Sequence, residues 1–184
     1  MKYDPPYWFW DSTIPVSVCN SIIEYGKSFE STQATVGYGE QGRVDPNIRK
    51  SKVFFFEDIH WINGISNQYC ALANTSAWNF EISGQQSPQF TIYRPGEFYD
   101  FHSDESNHAP VMRKLSVSIN LSDPNTYEGG QFEMDLGEGP FVLEEMNRQG
   151  TVIVFPSDTR HRVTPVTKGV RYSLVNWFQG PGFK

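Results

Sequence analysis

Between residues 115 and 122 the chain reads Leu-Ser-Val-Ser-Ile-Asn-Leu-Ser, with apolar and polar residues alternating without a break. A period of two sets Leu115, Val117, Ile119 and Leu121 on one side and Ser116, Ser118, Asn120 and Ser122 on the other. That pattern predicts a half-buried strand. Further strand-like runs lie at 89–94, 98–103, 131–135, 140–144, 151–155, 161–166 and 169–178. They are short, separated by Gly, Pro, Asn or Asp, and carry no helical pattern between them. Strands of this kind must bury their apolar faces against another layer. The expected fold is therefore mainly β: N-terminal helices buttressing a double-stranded β-helix, or jelly-roll, core.

The N-terminal part has a different rhythm. Pro15 suits a first helical turn, and Cys19, Ile22, Ile23, Gly26 and Phe29 then follow helical spacing. A second helix is predicted near 58–75, with Ile62, Ile65, Tyr69 and Leu72 on one face, and a buried strand over Val53–Phe56. Residues 34–52 hold Gly37, Gly39, Gly42 and Pro46 among polar residues and read as a long exposed loop, a candidate lid. The aromatic run Tyr7-Trp8-Phe9-Trp10 is expected to pack on the first helix. At 184 residues the sequence fits one domain, a helical part over about 1–85 and a core over about 86–184.

A formal charge of −6 argues against a polyanionic partner, and Arg43, Arg49, Lys50 and Lys52 read as a solvated loop. Cys19 and Cys70 are far apart and form no disulfide framework. The N-terminus lacks the apolar run of a signal peptide, and no run approaches the roughly 18 apolar residues that span a bilayer. The expected location is cytoplasmic, or the host cytoplasm for a phage-encoded protein, with no membrane partner.

The chemistry concentrates in His102-Ser-Asp104, His161 and Arg171. Residues i and i+2 of a strand share a face, so His102 and Asp104 can bind one ion from one wall while His161 completes the set. Two imidazoles and a carboxylate with open positions are the ligand set of non-haem Fe(II) oxygenases. Alone, His-x-Asp is a weak signal that chance supplies in roughly a fifth of such sequences. Arg171 shares parity with Ser173, Val175 and Trp177 on the next strand. Facing inward, it is either a bidentate partner for a bound carboxylate or one half of an internal ion pair. His60, at a helix start, and His108, in a polar turn, read as exposed structural residues.

These residues, together with Tyr93…Gly96…Tyr99, Arg113-x-x-Ser116, Glu128-Gly-Gly-Gln-Phe132, Phe155-Pro-Ser157 and Gly169-x-Arg171, resemble the Fe(II)- and 2-oxoglutarate-dependent dioxygenases, in their prolyl 4-hydroxylase-like branch. The resemblance covers roughly residues 89–180. It implies Fe(II) on His102, Asp104 and His161, and 2-oxoglutarate chelating the iron with its distal carboxylate on Arg171. Tyr93 and Ser173 would lie beside that co-substrate, and Tyr99, Trp177 and Arg113 on the substrate side. It also implies O2 as oxidant, ascorbate as reductant, and oxidative decarboxylation to succinate and CO2 coupled to C–H hydroxylation. Asp104 favours hydroxylation over halogenation. Nucleic-acid demethylases carry a second arginine where this sequence has Trp177, so no nucleic-acid partner is expected. Some prolyl hydroxylases place a tyrosine near the position of Asn120, which leaves the co-substrate contacts there open. The substrate is expected to be a prolyl residue of a peptide or protein. A lysyl residue, a free amino acid or another metabolite are alternatives, and a non-catalytic jelly-roll binding protein is the reading from another class.

Overall fold

The computed structural model describes residues 2–37, 42–57, 60–105 and 111–182. Its helices are α1, Val16–Lys27, and α2, Trp61–Ala73. The strands before the second helix are β1 (Trp8–Trp10), β2 (Thr32–Gln33), β3 (Arg49–Lys50) and β4 (Lys52–Phe55). After it come β5 (Gly84–Gln85), β6 (Gln89–Tyr93), β7 (Phe98–His102), β8 (Val111–Asn120), β9 (Tyr127–Gly129) and β10 (Phe132–Asp135). The last five are β11 (Pro140–Val142), β12 (Val152–Pro156), β13 (Arg160–Val163), β14 (Val166–Gly169) and β15 (Arg171–Pro181).

The strands form a large antiparallel sheet in the order β1-β12-β8-β15-β6-β4-β2, with β5 on the end of β15, and a smaller sheet in the order β11-β10-β13-β7-β3. A short β14-β9 pair completes them. This is the jelly-roll expected from the strand pattern. The large sheet is covered on both faces. Leu115, Val117 and Ile119 of β8, Val152 and Val154 of β12, Phe90 of β6 and Leu174 of β15 pack with Ile22 of α1 and Ile62 and Cys70 of α2. On the opposite side Ile153 and Phe155 of β12 meet Phe132, Met134 and Val163 of the small sheet. Helix α1 sits close because Gly26 faces the Phe90 ring, where a Cβ would lie 2.6–2.7 Å from three ring carbons.

Several expectations change. The β8 strand is buried on both sides: Ser116 and Asn120 are fully buried and Ser118 nearly so. Its polar face looks between the two sheets, where no solvent reaches it. The N-terminal part contributes strands as well as helices. The Trp8–Trp10 run is an edge strand paired with Val152–Val154; Trp8 and Trp10 pack on the core that includes Cys19 and Ile22 of α1, and Trp10 also meets Tyr69 of α2 at 4.9 Å between ring centroids. Leu72 is 45 % exposed, because the buried face of α2 runs through Ile62, Ser66, Cys70 and Ala73. Phe29 lies beyond the end of α1 and is exposed.

The predicted loop at 34–52 ends in β3 and β4, and within it Ala34, Arg49 and Ser51 are buried. The run 161–166 divides into β13 and β14, with Thr164 and Pro165 between them. His60 is half-buried rather than exposed. It caps α2, its Nδ1 accepting from the Ile62 amide at 3.4 Å, and stacks on Tyr25 and Phe56. His108 lies outside the described residues. Among the described residues no helix is long and apolar enough to cross a membrane.

Candidate active site

The recess between the sheets is lined from both. The large sheet supplies the inward face of β15 (Arg171, Ser173, Val175, Trp177), Tyr93 and Gln89 of β6, and Ser118 of β8. The small sheet supplies Tyr99 and His102 of β7, His161 and Val163 of β13, and Arg49 of β3, with Asp104 at the edge. The period-two pattern thus sets apolar residues against the helices and turns their neighbours into the site.

His102 and His161 stand directly opposite each other in the β7–β13 ladder. Each ring donates its Nδ1–H to a backbone carbonyl two residues earlier: His102 to Asp100 at 2.8 Å, His161 to Thr159 at 2.9 Å. That bond fixes the tautomer and leaves the Nε2 lone pair facing the recess. Each Nε2 lies 3.6 Å from a different oxygen of Asp104. These separations exceed a hydrogen bond, so three donors converge without bonding one another. No other cluster of three His, Cys, Asp or Glu side chains among the described residues is close enough to share an ion.

Asp104 is not on the strand as the spacing suggested. Strand β7 stops at His102, and the Asp104 backbone amide is held instead by the Ser157 carbonyl at 2.8 Å. Its Oδ2 accepts from Ser116 Oγ at 2.8 Å, and that hydroxyl also meets Ser157 Oγ at 3.0 Å. Burial pushes the Asp104 carboxyl up, but the neighbouring His161 and His102 rings and the Arg113 guanidinium outweigh it and hold the group well below the usual carboxylate range. Burial, with His102 alongside, pushes His161 down to about 4. At neutral pH the set is one carboxylate with a neutral His161 imidazole, the protonation a divalent cation needs. Donor types, convergence and protonation fit Fe(II).

Arg171 is 1 % exposed and sits opposite Tyr93 in the β15–β6 ladder. Among the described residues no acidic side chain is within ion-pair distance of it, and its Nε and Nη1 have no hydrogen-bond partner. The internal ion pair that would have explained it is absent there. Gly130, at φ +61°, makes room for its stem: a Cβ would lie 2.9 Å from Arg171 Cδ. Its neighbour Gly129, at φ +74°, is needed for a different reason, because a Cβ there would meet the Pro165 carbonyl. A buried cation with free donors fits a carboxylate ligand.

The other expected residues also gather here. Tyr93 and Ser173 are buried beside Arg171. Burial pushes the Tyr93 phenol up, against the pull of Arg49 and Arg171. Tyr99 stacks on His102 at 3.4 Å between centroids, its phenol pushed up to about 12 by burial. Trp177 is buried, its indole N–H has no partner among the described residues, and the Arg113 guanidinium lies 3.9 Å over its ring. Arg113 is half-buried rather than a surface residue and donates to Gln86 Oε1 at 2.6 Å. The Asn120 amide is engaged within the protein, with Ser122, Asn147 and Tyr127 at 3.4–3.5 Å.

Sequence reasoning missed Arg49, Gln89, Ser118, Phe132 and Phe155 in the recess wall, and the Ser157 support of Asp104. Parity with Ser116 and Ser173 would have found Ser118. For Arg49 the only sequence signal, a polar loop, pointed the wrong way.

A family model described as "2OG-Fe(II) oxygenase superfamily" matches residues 88–179. A PKHD-type hydroxylase of Teredinibacter turnerae is 35% identical over 97 residues, which are 50% of this chain and 42% of that protein. The protein thus spans less than half the length of the curated relatives it matches. Among solved structures, a Pseudomonas putida prolyl-4-hydroxylase superposes with a TM-score of 0.73 at 22% identity, covering 98% of this chain and 95% of that one. A Trichoplax adhaerens prolyl hydroxylase, in complex with a hypoxia inducible factor oxygen degradation domain peptide fragment, gives 0.74 at 16% identity, covering 94% and 83%. These two likenesses establish the fold.

Proposed function

The chain belongs to the 2OG-Fe(II) oxygenase superfamily, and from that premise we propose that it is an Fe(II)- and 2-oxoglutarate-dependent dioxygenase hydroxylating a prolyl residue of a peptide or protein. The observation that carries this is Arg171: a buried guanidinium with free donors, facing the same recess as a converging His-Asp-His set.

In this scheme His102, Asp104 and His161 hold the iron, and Arg171 takes the distal carboxylate of 2-oxoglutarate, with Tyr93 and Ser173 beside it. Bound iron and 2-oxoglutarate supply the oxidising chemistry with O2, yielding succinate and CO2. The protein does the positioning. The two Nδ1–H bonds keep both imidazoles aimed, Ser116 and the Ser157 carbonyl keep Asp104 in place, and the apolar wall of Phe132, Phe155 and Val163 excludes water. Tyr99, through its neutral phenol edge, and the Trp177 indole, with Arg113 over its ring, would form the substrate side of the recess. A prolyl substrate is supported by these walls and by the two prolyl hydroxylases among the structural neighbours.

We also read residues 1–184 as one catalytic unit, because β1 to β4 complete the two sheets. A reducing, cytoplasmic setting suits ferrous iron and the two free, buried cysteines.

Anaerobic addition of Fe(II) and 2-oxoglutarate should produce the visible colour of a chelated keto acid. With O2 and ascorbate, a library of proline-bearing peptides should then yield succinate and a gain of one oxygen. Turnover of a free amino acid or metabolite alone would move the substrate and keep the chemistry. Absence of both colour and iron binding would overturn the enzyme reading in favour of a binding protein.

A further inference from the structure

Arg49 has no role in that scheme, yet it is only 6 % exposed and lines the same recess. It lies on β3, directly opposite Tyr99 of β7, with its guanidinium 4.4 Å over the Tyr99 ring. Tyr99 in turn stacks on His102. The hydrogen bonds of Arg49 run to neutral groups: Nε donates to Ser51 Oγ at 3.1 Å, Nη1 to the Thr35 carbonyl at 3.3 Å, and the guanidinium also meets the Tyr93 phenol. Among the described residues no carboxylate is within ion-pair distance of it.

Charge counting makes this informative. Asp104 brings one negative charge to the recess, and Arg171 and Arg49 bring one positive charge each. Ferrous iron and 2-oxoglutarate cancel each other. With both bound, Asp104, Arg171 and Arg49 together leave the lining one positive charge in excess. Buried charge without a counter-charge is costly, and the Tyr99 face attracts the cation without cancelling its charge. A guanidinium presents a planar fork that fits a carboxylate.

We infer that Arg49 is a specificity residue on the Tyr99 side of the site, and that the substrate carries a carboxylate next to the carbon to be hydroxylated. The inference rests on the proposed function above. The carboxylate can belong to an acidic residue beside a proline, to the free carboxyl terminus of a peptide, or to a free imino acid. The chemistry at Arg49 is shared, and matched probes separate the sources.

Protein loaded with Mn(II) and 2-oxoglutarate is titrated by calorimetry with three pairs: N-acetylproline and its amide, free proline and prolinamide, and capped tetrapeptides with Glu or Gln after proline. At least one carboxylate member should bind tenfold or more tightly than its neutral counterpart. Arg49→Gln should reduce that ratio to near one while 2-oxoglutarate affinity stays within twofold. Arg49→Lys, which keeps the charge without the fork, should fall between, and thermal melting checks that each variant folds. Ratios near one for every pair in the unaltered protein, or no binding of any probe, overturn the inference. So does a loss confined to 2-oxoglutarate, which would assign Arg49 to the co-substrate. If the unaltered protein binds neither Mn(II) nor 2-oxoglutarate, the proposed function fails first and takes this inference with it.

Discussion

Replacing Arg171 by methionine should move two measurements in opposite directions. The guanidinium is 1 % exposed and two of its nitrogens have no partner, so without co-substrate it is a buried cation with little to offset it. Exchanging buried ionic groups for apolar side chains of similar volume often stabilises a fold by about 1–4 kcal/mol. Methionine is unbranched and can follow the arginine stem past Gly130. At about 2–4 °C per kcal/mol for a protein of this size, the variant without metal or co-substrate should melt several degrees above the parent. Binding should change the other way. Leaving one partner of a buried pair alone costs about 3–5 kcal/mol, or about two to four orders of magnitude in Kd for 2-oxoglutarate. Differential scanning calorimetry gives the first number, and anaerobic titration of the Fe(II)-loaded protein by visible absorbance gives the second. A variant that melts lower would mean that Arg171 has a structural partner. A Kd changed less than tenfold would mean that the distal carboxylate binds elsewhere.

Ser116→Ala removes the 2.8 Å donor to Asp104 Oδ2 and should weaken Fe(II) about 10- to 100-fold in an anaerobic metal titration. Unchanged affinity would mean that the backbone contacts of Asp104, with the Ser157 carbonyl and Arg113, suffice to hold it. Gly26→Ala should gain about 1 kcal/mol of helix propensity but lose about 1–3 kcal/mol by overpacking the Phe90 ring, for a net loss of up to about 2 kcal/mol in urea denaturation. A stabilised variant would contradict the close α1–sheet approach. Burial pushes the Cys70 thiol from 9.0 up to about 12. The folded protein therefore holds that proton more tightly than the unfolded one, and its contribution to stability should fall as pH rises from about 9 towards 12. Labelling with a thiol reagent at pH 8 should require unfolding; rapid labelling of Cys70 in the native protein would refute its burial.

Alternation is the legible part of the fold. It assigns opposite sides to Leu115 and Ser116, to Leu174 and Ser173, and to Phe90 and Tyr93, and the structure keeps those sides. What alternation cannot encode is a second layer. Polar residues on one face of a strand look alike whether they meet water or a neighbouring sheet, which is why Ser116, Ser118 and Asn120 read as solvent-facing in the sequence. The helical face of α2 misleads for a related reason. Leu72 fits an apolar stripe, but the sheet beneath α2 accepts small groups, and Ser66, Cys70 and Ala73 fill the contact.

The site divides along the same line. His102, His161 and Arg171 are legible because each sits in a strand; parity orients Arg171 with Ser173 and Trp177, whereas the shifted β7–β13 register brings Tyr99 to the recess beside His102. Asp104 and Arg49 are not, because neither is placed by its own strand. Asp104 takes its position from Ser157, 53 residues later, and Arg49 takes its burial from Tyr99, 50 residues later. Long-range contacts decide the surroundings of both charges: Ser157, just after β12, holds Asp104, and β3 pairs with β7 within the small sheet. A cation in a Gly- and Pro-punctuated segment reads as solvated for as long as nothing covers it. Once β3 pairs with β7, the same residue becomes the second guanidinium in the recess, and its uncompensated charge turns from a surface detail into a statement about the substrate.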